Sequence, residues 1–90
     1  MINDEDSIDF QFPCDFPIKV MGAALPEFHQ RVEEIIRHHV PEVGADAFSS
    51  RASSAGRYVS ITVVIQAQSR AQLDDIYRDL TACELVTMAL

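Results

Sequence analysis

Arg57-Tyr58-Val59-Ser60-Ile61-Thr62-Val63-Val64-Ile65-Gln66-Ala67-Gln68 is the stretch on which the fold turns. Val59, Ile61, Val63 and Ile65 point one way, and Tyr58, Ser60, Thr62, Val64 and Gln66 the other. A period of two in β-branched residues predicts a strand with one covered face and one semi-polar face. Just before it, Ser53-Ser54-Ala55-Gly56 has turn chemistry, with Gly56 as the residue suited to a positive φ. Further back, Ala45 to Ser54 is small and polar apart from Phe48, which predicts an edge strand.

Working outward, Phe16-Pro17-Ile18-Lys19-Val20-Met21-Gly22 also alternates, with Phe16, Ile18 and Val20 on one face. This is strand one, and Gly22 is expected to end it. Leu25-Pro26-Glu27 suits a helix start, since proline is tolerated in the first turn and acids there complement the dipole. Phe28, Val32, Ile35 and Ile36 follow as one apolar stripe. Arg37, His38 and His39 fall in the last turn, and Pro41 stops the helix. On the other side, Ser69 is an N-cap candidate for a second helix carrying Leu73, Ile76, Tyr77 and Leu80. Leu85 to Leu90 closes the chain as a strand, with Val86, Met88 and Leu90 expected inward.

The element order is therefore βαββαβ. Right-handed crossovers place both helices on one face of a four-stranded antiparallel sheet, in the ferredoxin-like α+β order 4-1-3-2. The most apolar strand is then central and the serine-rich one lies at an edge.

Ninety residues suit one small domain. The net charge of −7 is uneven. Asp4, Glu5, Asp6, Asp9 and Asp15 stand in the first fifteen residues with no base to answer them, and the remainder is near −2. Residues 1–12 are expected to be an acidic flexible arm, and residues 13–90 the single domain. An acidic balance opposes binding to a polyanion. No stretch approaches the ~20 apolar residues of a membrane span, and the acidic N-terminus does not resemble a signal peptide. The expected location is the cytoplasm.

The chemistry-bearing residues form no catalytic constellation. Cys14 precedes strand one and Cys83 precedes strand four, which should run antiparallel to it, so the two lie roughly 20 Å apart and are expected to be free thiols. His29 and His38 lie on opposite sides of their helix and His29 and His39 are roughly 80° apart, so no pair has metal-ligand spacing. Arg37, His38 and His39 suit the helix end instead. The first loop, Met21-Gly22-Ala23-Ala24-Leu25-Pro26, lacks the arginine and second glycine of a phosphate cradle. Asp75 and Asp79 are a solvated like-charge pair, and Arg70, Asp74 and Arg78 have plain ion-pair spacings. An RNA-recognition module shares this element order but needs stacking aromatics on its central strands, where only Tyr58 is available. The chain is thus expected to need no cofactor or metal and to bind no nucleic acid. What remains is the outward sheet face, where Lys19, Met21, Tyr58, Ser60, Thr62 and Val64 mix hydroxyls with more apolar surface than solvent requires.

Phe16-Pro17-Ile18-Lys19-Val20-Met21-Gly22, Ser53-Ser54-Ala55-Gly56-Arg57-Tyr58-Val59-Ser60-Ile61-Thr62 and Val86-Thr87-Met88-Ala89-Leu90 together resemble the YbeD-like family of small bacterial proteins, over about residues 12–90. The resemblance implies a ferredoxin-like fold similar to ACT regulatory domains, in a family without an established activity. ACT-like domains hold small effectors near the loop after strand one. Gly22, with Met21 and Ala23, occupies that place here, where glycine would allow close backbone approach. The expectation is a non-catalytic regulatory or adaptor domain that binds a protein or a small effector and self-associates through a sheet edge or face. The alternatives are an interaction protein working through the acidic arm and an enzyme of unrecognised chemistry.

Overall fold

The alternating run pairs along its whole length with the first strand. In a computed structural model, which describes residues 11–90, β1 (Cys14–Ala23) and β3 (Tyr58–Ala67) form an antiparallel ladder from Cys14↔Ala67 to Ala23↔Tyr58. A shorter β2 (Phe48–Ala52) lies outside β3 and β4 (Val86–Ala89) outside β1, giving the order β2-β3-β1-β4. Helices α1 (Pro26–His39) and α2 (Arg70–Ala82) complete the ferredoxin-like α+β fold. The expected arm falls largely on residues 1–10, which lie outside the described residues. Phe12, at its end, is half-buried against the core.

One side chain parity of each long strand makes the core. Ile18 and Val20 of β1 and Ile61, Val63 and Ile65 of β3 are buried. They meet Phe28, Val32 and Ile36 of α1 and Leu73, Ile76 and Leu80 of α2. Burying each such side chain contributes about 1.5–3 kcal/mol against the entropy of ordering the chain.

The helix ends follow local chemistry. Proline opens α1, whose N-cap Leu25 offers no side-chain acceptor. In α2, Ser69 Oγ accepts from the Gln72 amide at 3.0 Å, an N-cap of the ordinary kind. Past α1, Arg37 donates to the Val43 carbonyl at 2.8 Å and lies over the Phe48 ring, tying the helix end to β2. His39 Nε2 and Asp79 Oδ2 meet at 2.6 Å between the helices, so His39 links the two rather than capping its own. Burial pushes the Tyr77 phenol above its usual value, keeping it neutral at physiological pH. Cys14 is the first residue of β1 rather than preceding it, Cys83 is buried after α2, and both are free thiols.

The region from Ala45 to Ser54 is not strand throughout. Ala45–Ala47 form a single 3-10 turn, and β2 spans only Phe48–Ala52. Gly22 does not end β1, which runs on to Ala23. The larger difference is in β4. Gly22 pairs with Val86 but Met21 pairs with Met88, so Thr87 is an extra residue and the ladder carries a bulge there. The bulge reverses the side-chain parity of β4. Val86 and Ala89 pack against the core, whereas Met88 is 47% and Leu90 59% exposed. Met88 and Leu90, expected inward, therefore face away from the helices.

Gly22 explains why β4 lies where it does. A Cβ added there would come within 2.4 Å of the Leu85 carbonyl oxygen and 2.5 Å of the Phe28 ring. Gly56 differs: its φ of +75° needs left-handed backbone, but nothing lies within 4 Å of an added Cβ. Gly22→Ala is accordingly expected to destabilise by about 1–3 kcal/mol through overpacking. Gly56→Ala should cost about 1–2 kcal/mol and Gly56→Asn less, since asparagine tolerates that region. Urea unfolding of the three variants separates the two causes, because trimming the ring in a Phe28→Leu background should relieve part of the Gly22 penalty, leaving the Leu85 carbonyl clash, and none of the Gly56 penalty. Ser69→Ala should cost about 1 kcal/mol by the same measurement.

Candidate functional site

Three rungs across the outward side of the sheet carry the residues singled out in the sequence. Ser53, Tyr58 and Ala23 form the first: the Ser53 amide donates to the Tyr58 carbonyl at 2.8 Å, and Tyr58 pairs with Ala23. Arg51, Ser60, Met21 and Met88 form the second, one from each strand in the order β2-β3-β1-β4. Ser49, Thr62, Lys19 and Leu90 form the third, closed by reciprocal backbone hydrogen bonds of 3.1 and 2.7 Å between Lys19 and Leu90. Val64 stands one rung further along β3, opposite Pro17.

This brings Lys19, Met21, Tyr58, Ser60 and Thr62 together, with Val64 on the same face beside them. Sequence reading missed Arg51 and Met88. The signal for Met88 was Gly22 itself, because a glycine inside a strand marks a bulge or a close backbone approach. Arg51 lay in a run read only for its small residues, and strand parity there was set by the register with β3.

The face divides by chemistry. Met21 and Met88 are direct cross-strand neighbours, a relation that holds Cβ atoms about 4.5–5.5 Å apart. With Tyr58, Val59 and Thr87 they line an apolar cleft of about 250 Å³ that Arg51 and Ser53 border. Beside it, Lys19, Ser49, Ser50, Arg51, Ser60 and Thr62 line a polar trough. Arg51 and Ser60 border both. Of the five large hydrophobic residues that are exposed among the described residues, Tyr58, Val64, Met88 and Leu90 lie on this face, and Leu25 precedes α1.

Gly22 lies on the opposite parity. It is buried, and the Leu85 carbonyl and Phe28 ring fill the space above it, so the close approach it permits is the protein's own. Ala23 is half-buried next to Tyr58 on the outward rung. The histidines lie on α1, with His29 near Glu33 at 3.5 Å and His39 on Asp79. No group of three or more His, Cys, Asp or Glu side chains converges among the described residues. No helix among them is long and apolar enough to cross a membrane.

Charge is distributed between the two layers. Among the described residues, the only acid in any strand is Asp15 at the start of β1, two rungs from Lys19, and the only bases are Lys19 and Arg51. Arg31 pairs with Glu34 and Arg78 with Asp75 on the helices. The side chains of Lys19, Arg51 and Arg57, all in or beside the sheet, make no hydrogen bond or ion pair among the described residues.

Comparison with known proteins agrees with the sequence resemblance. The chain is 48% identical over 81 residues to a UPF0250 protein of Paraburkholderia phytofirmans, covering 90% of this chain and 91% of that one. It is 42% identical over 89 residues to a UPF0250 protein of Chromobacterium violaceum, covering 99% and 100%. The solution structure of protein HP0495 from H. pylori superposes with a TM-score of 0.69 over 100% of this chain and 94% of that one, at 14% identity, which is a likeness of fold. Residues 8–90 match the profile of DUF493, described as a protein of unknown function, and the chain belongs to that family of small, YbeD-like bacterial proteins.

Proposed function

We propose that this domain is a non-catalytic adaptor or regulatory domain that binds a protein partner on the outward face of its sheet. The observation that carries the proposal is the gathering of Tyr58, Val64, Met88 and Leu90 with Met21 on that one face. Singly exposed apolar residues are ordinary, but Met21, Met88 and Tyr58 adjoin one another around a single cleft bordered by polar residues, and such a group marks an interaction surface.

The cleft favours a protein over a free metabolite. At about 250 Å³ it is smaller than the ~300–1,000 Å³ of typical small-molecule pockets, and it opens on a sheet surface. It suits one apolar side chain presented by a larger partner. The hydroxyls of Ser49, Ser60 and Thr62 have no histidine or carboxylate on neighbouring outward positions of the sheet, where a nucleophile would need its base. That composition supports binding without catalysis.

Site-specific photocrosslinking in cells tests the reading. With p-benzoylphenylalanine in place of Met88, adducts to another protein are expected; with the same group in place of Asp75 on α2 they are not. Adducts of equal yield from both positions, or none from Met88, would refute it. An adduct at twice the chain mass would identify self-association instead. Met21→Gln/Met88→Gln should abolish the Met88-side adducts (read from Thr87) while leaving the circular dichroism spectrum unchanged, since Met88 is half exposed and Met21 is not fully buried and no like charges are set opposite each other.

A further inference from the structure

We infer that the partner segment recognised on this face is acidic and apolar together: an apolar side chain seated in the Met21–Met88 cleft, with a carboxylate close by in its sequence held by Lys19 and Arg51. The inference rests on the proposed sheet-face binding and names its chemistry.

Position supplies the first argument. Lys19 stands one rung along β1 from Met21, about 7 Å, and Arg51 stands two strands across the same rung, about 10 Å. An extended segment whose apolar and acidic residues are two or three positions apart spans those distances. Arg51 and Ser60 border both the apolar cleft and the hydroxyl-rich trough, so the two halves form one continuous surface.

Charge supplies the second. The described residues carry more acids than bases, yet nearly all the acids lie on the helices and connecting loops. The basic side chains of the helical layer are engaged by neighbours, Arg70 included. Among the described residues, the Lys19 and Arg51 side chains have no ion-pair partner, and they stand on the face that is also apolar. The one acidic side chain of the described strands is Asp15, two rungs from Lys19, so an incoming carboxylate meets two donors there.

Other occupants match less well. Among the described strands, the one acidic side chain that a second copy laid face to face would bring toward Lys19 or Arg51 is Asp15, from the far end of its sheet. A nucleic acid would need a basic footprint wider than two or three cations on an otherwise acidic molecule.

Panning a random dodecapeptide phage library against the immobilised full-length chain provides the test. Selected peptides would then be synthesised with a fluorophore, titrated by anisotropy and mapped by ¹⁵N–¹H chemical shifts. The expected result is enrichment of Asp or Glu within three residues of Leu, Ile, Met or Phe, with shifts at Lys19, Met21, Arg51 and Met88. Lys19→Glu/Arg51→Glu should weaken binding about tenfold, and Arg78→Ala on α2 should leave it unchanged. Raising salt from about 50 to about 500 mM should weaken binding several-fold. Apolar peptides without acids on the same face would overturn this inference and leave the sheet-face reading standing. Peptides mapping to the helices would overturn both. Absence of acidic enrichment, or a dimer in light scattering that Met88→Lys dissolves, would also overturn it.

Discussion

The contact that the rest of the architecture depends on is the close approach at Gly22. Its missing side chain lets the Phe28 ring settle onto β1, and Phe28 is the largest fully buried residue. The same vacancy admits the Leu85 carbonyl, which brings the chain leaving α2 against β1 and sets the level at which β4 begins. One position therefore docks the first helix and positions the last strand. The bulge at Thr87 sits beside it, where β4 pairs with Gly22 through Val86 and with Met21 through Met88. Close packing on one side of the sheet thus decides what is displayed on the other. Val86 and Ala89 go to the core while Met88 and Leu90 are exposed.

Displayed chemistry varies along two directions. Across the second rung it runs from a guanidinium through a hydroxyl to two thioethers; along β1 it runs from Lys19 through Met21 to the small Ala23 beside Tyr58. Methionine suits such a surface because its unbranched, polarizable side chain adapts to differently shaped partners. The backbone beneath is stiff by comparison, since β1 and β3 pair over ten residues and lie directly on the core. Adaptable side chains on a rigid ladder are a sound basis for selective but reversible binding.

Much of the fold was legible in the chain because its signals were local and agreed with one another. The period-two run Val59–Ile65, the Ser69 cap, the Phe28–Ile36 stripe and the stop at Pro41 each specify an element without reference to tertiary structure. Strand order then followed from handed crossovers. The phase of β4 was not legible in that way. Val86-Thr87-Met88-Ala89-Leu90 alternates cleanly, and an unbroken alternation places Met88 and Leu90 with Val86. The parity changes only through pairing with β1, a contact distant in sequence. The outward site was half legible for the same reason: Lys19, Met21, Tyr58, Ser60 and Thr62 come from strands whose phase the alternation gives, whereas Arg51 and Met88 come from the edges, where register decides.

The edges themselves bear on how this surface can be used. β2 and β4 are short, five and four residues, and β4 covers only the last part of β1. Short edges are poor templates for extending the sheet, so association through backbone pairing has little length to work with. The face, by contrast, spans all four strands of the sheet and holds four of the five large hydrophobics exposed among the described residues. On the opposite layer, both helices use their apolar stripes on the core and present carboxylates and engaged cations to solvent. A partner approaching the helices with an acidic group meets arginines that already have counterparts, Arg31 with Glu34 and Arg78 with Asp75, and must exchange those exposed pairs to form its own. On the sheet face, Lys19 and Arg51 have no such pair among the described residues, and apolar surface stands beside them already exposed. Binding on the sheet side breaks no ion pair of the described residues, and that difference between the two layers, rather than any single contact, is what favours the sheet as the proposed recognition face.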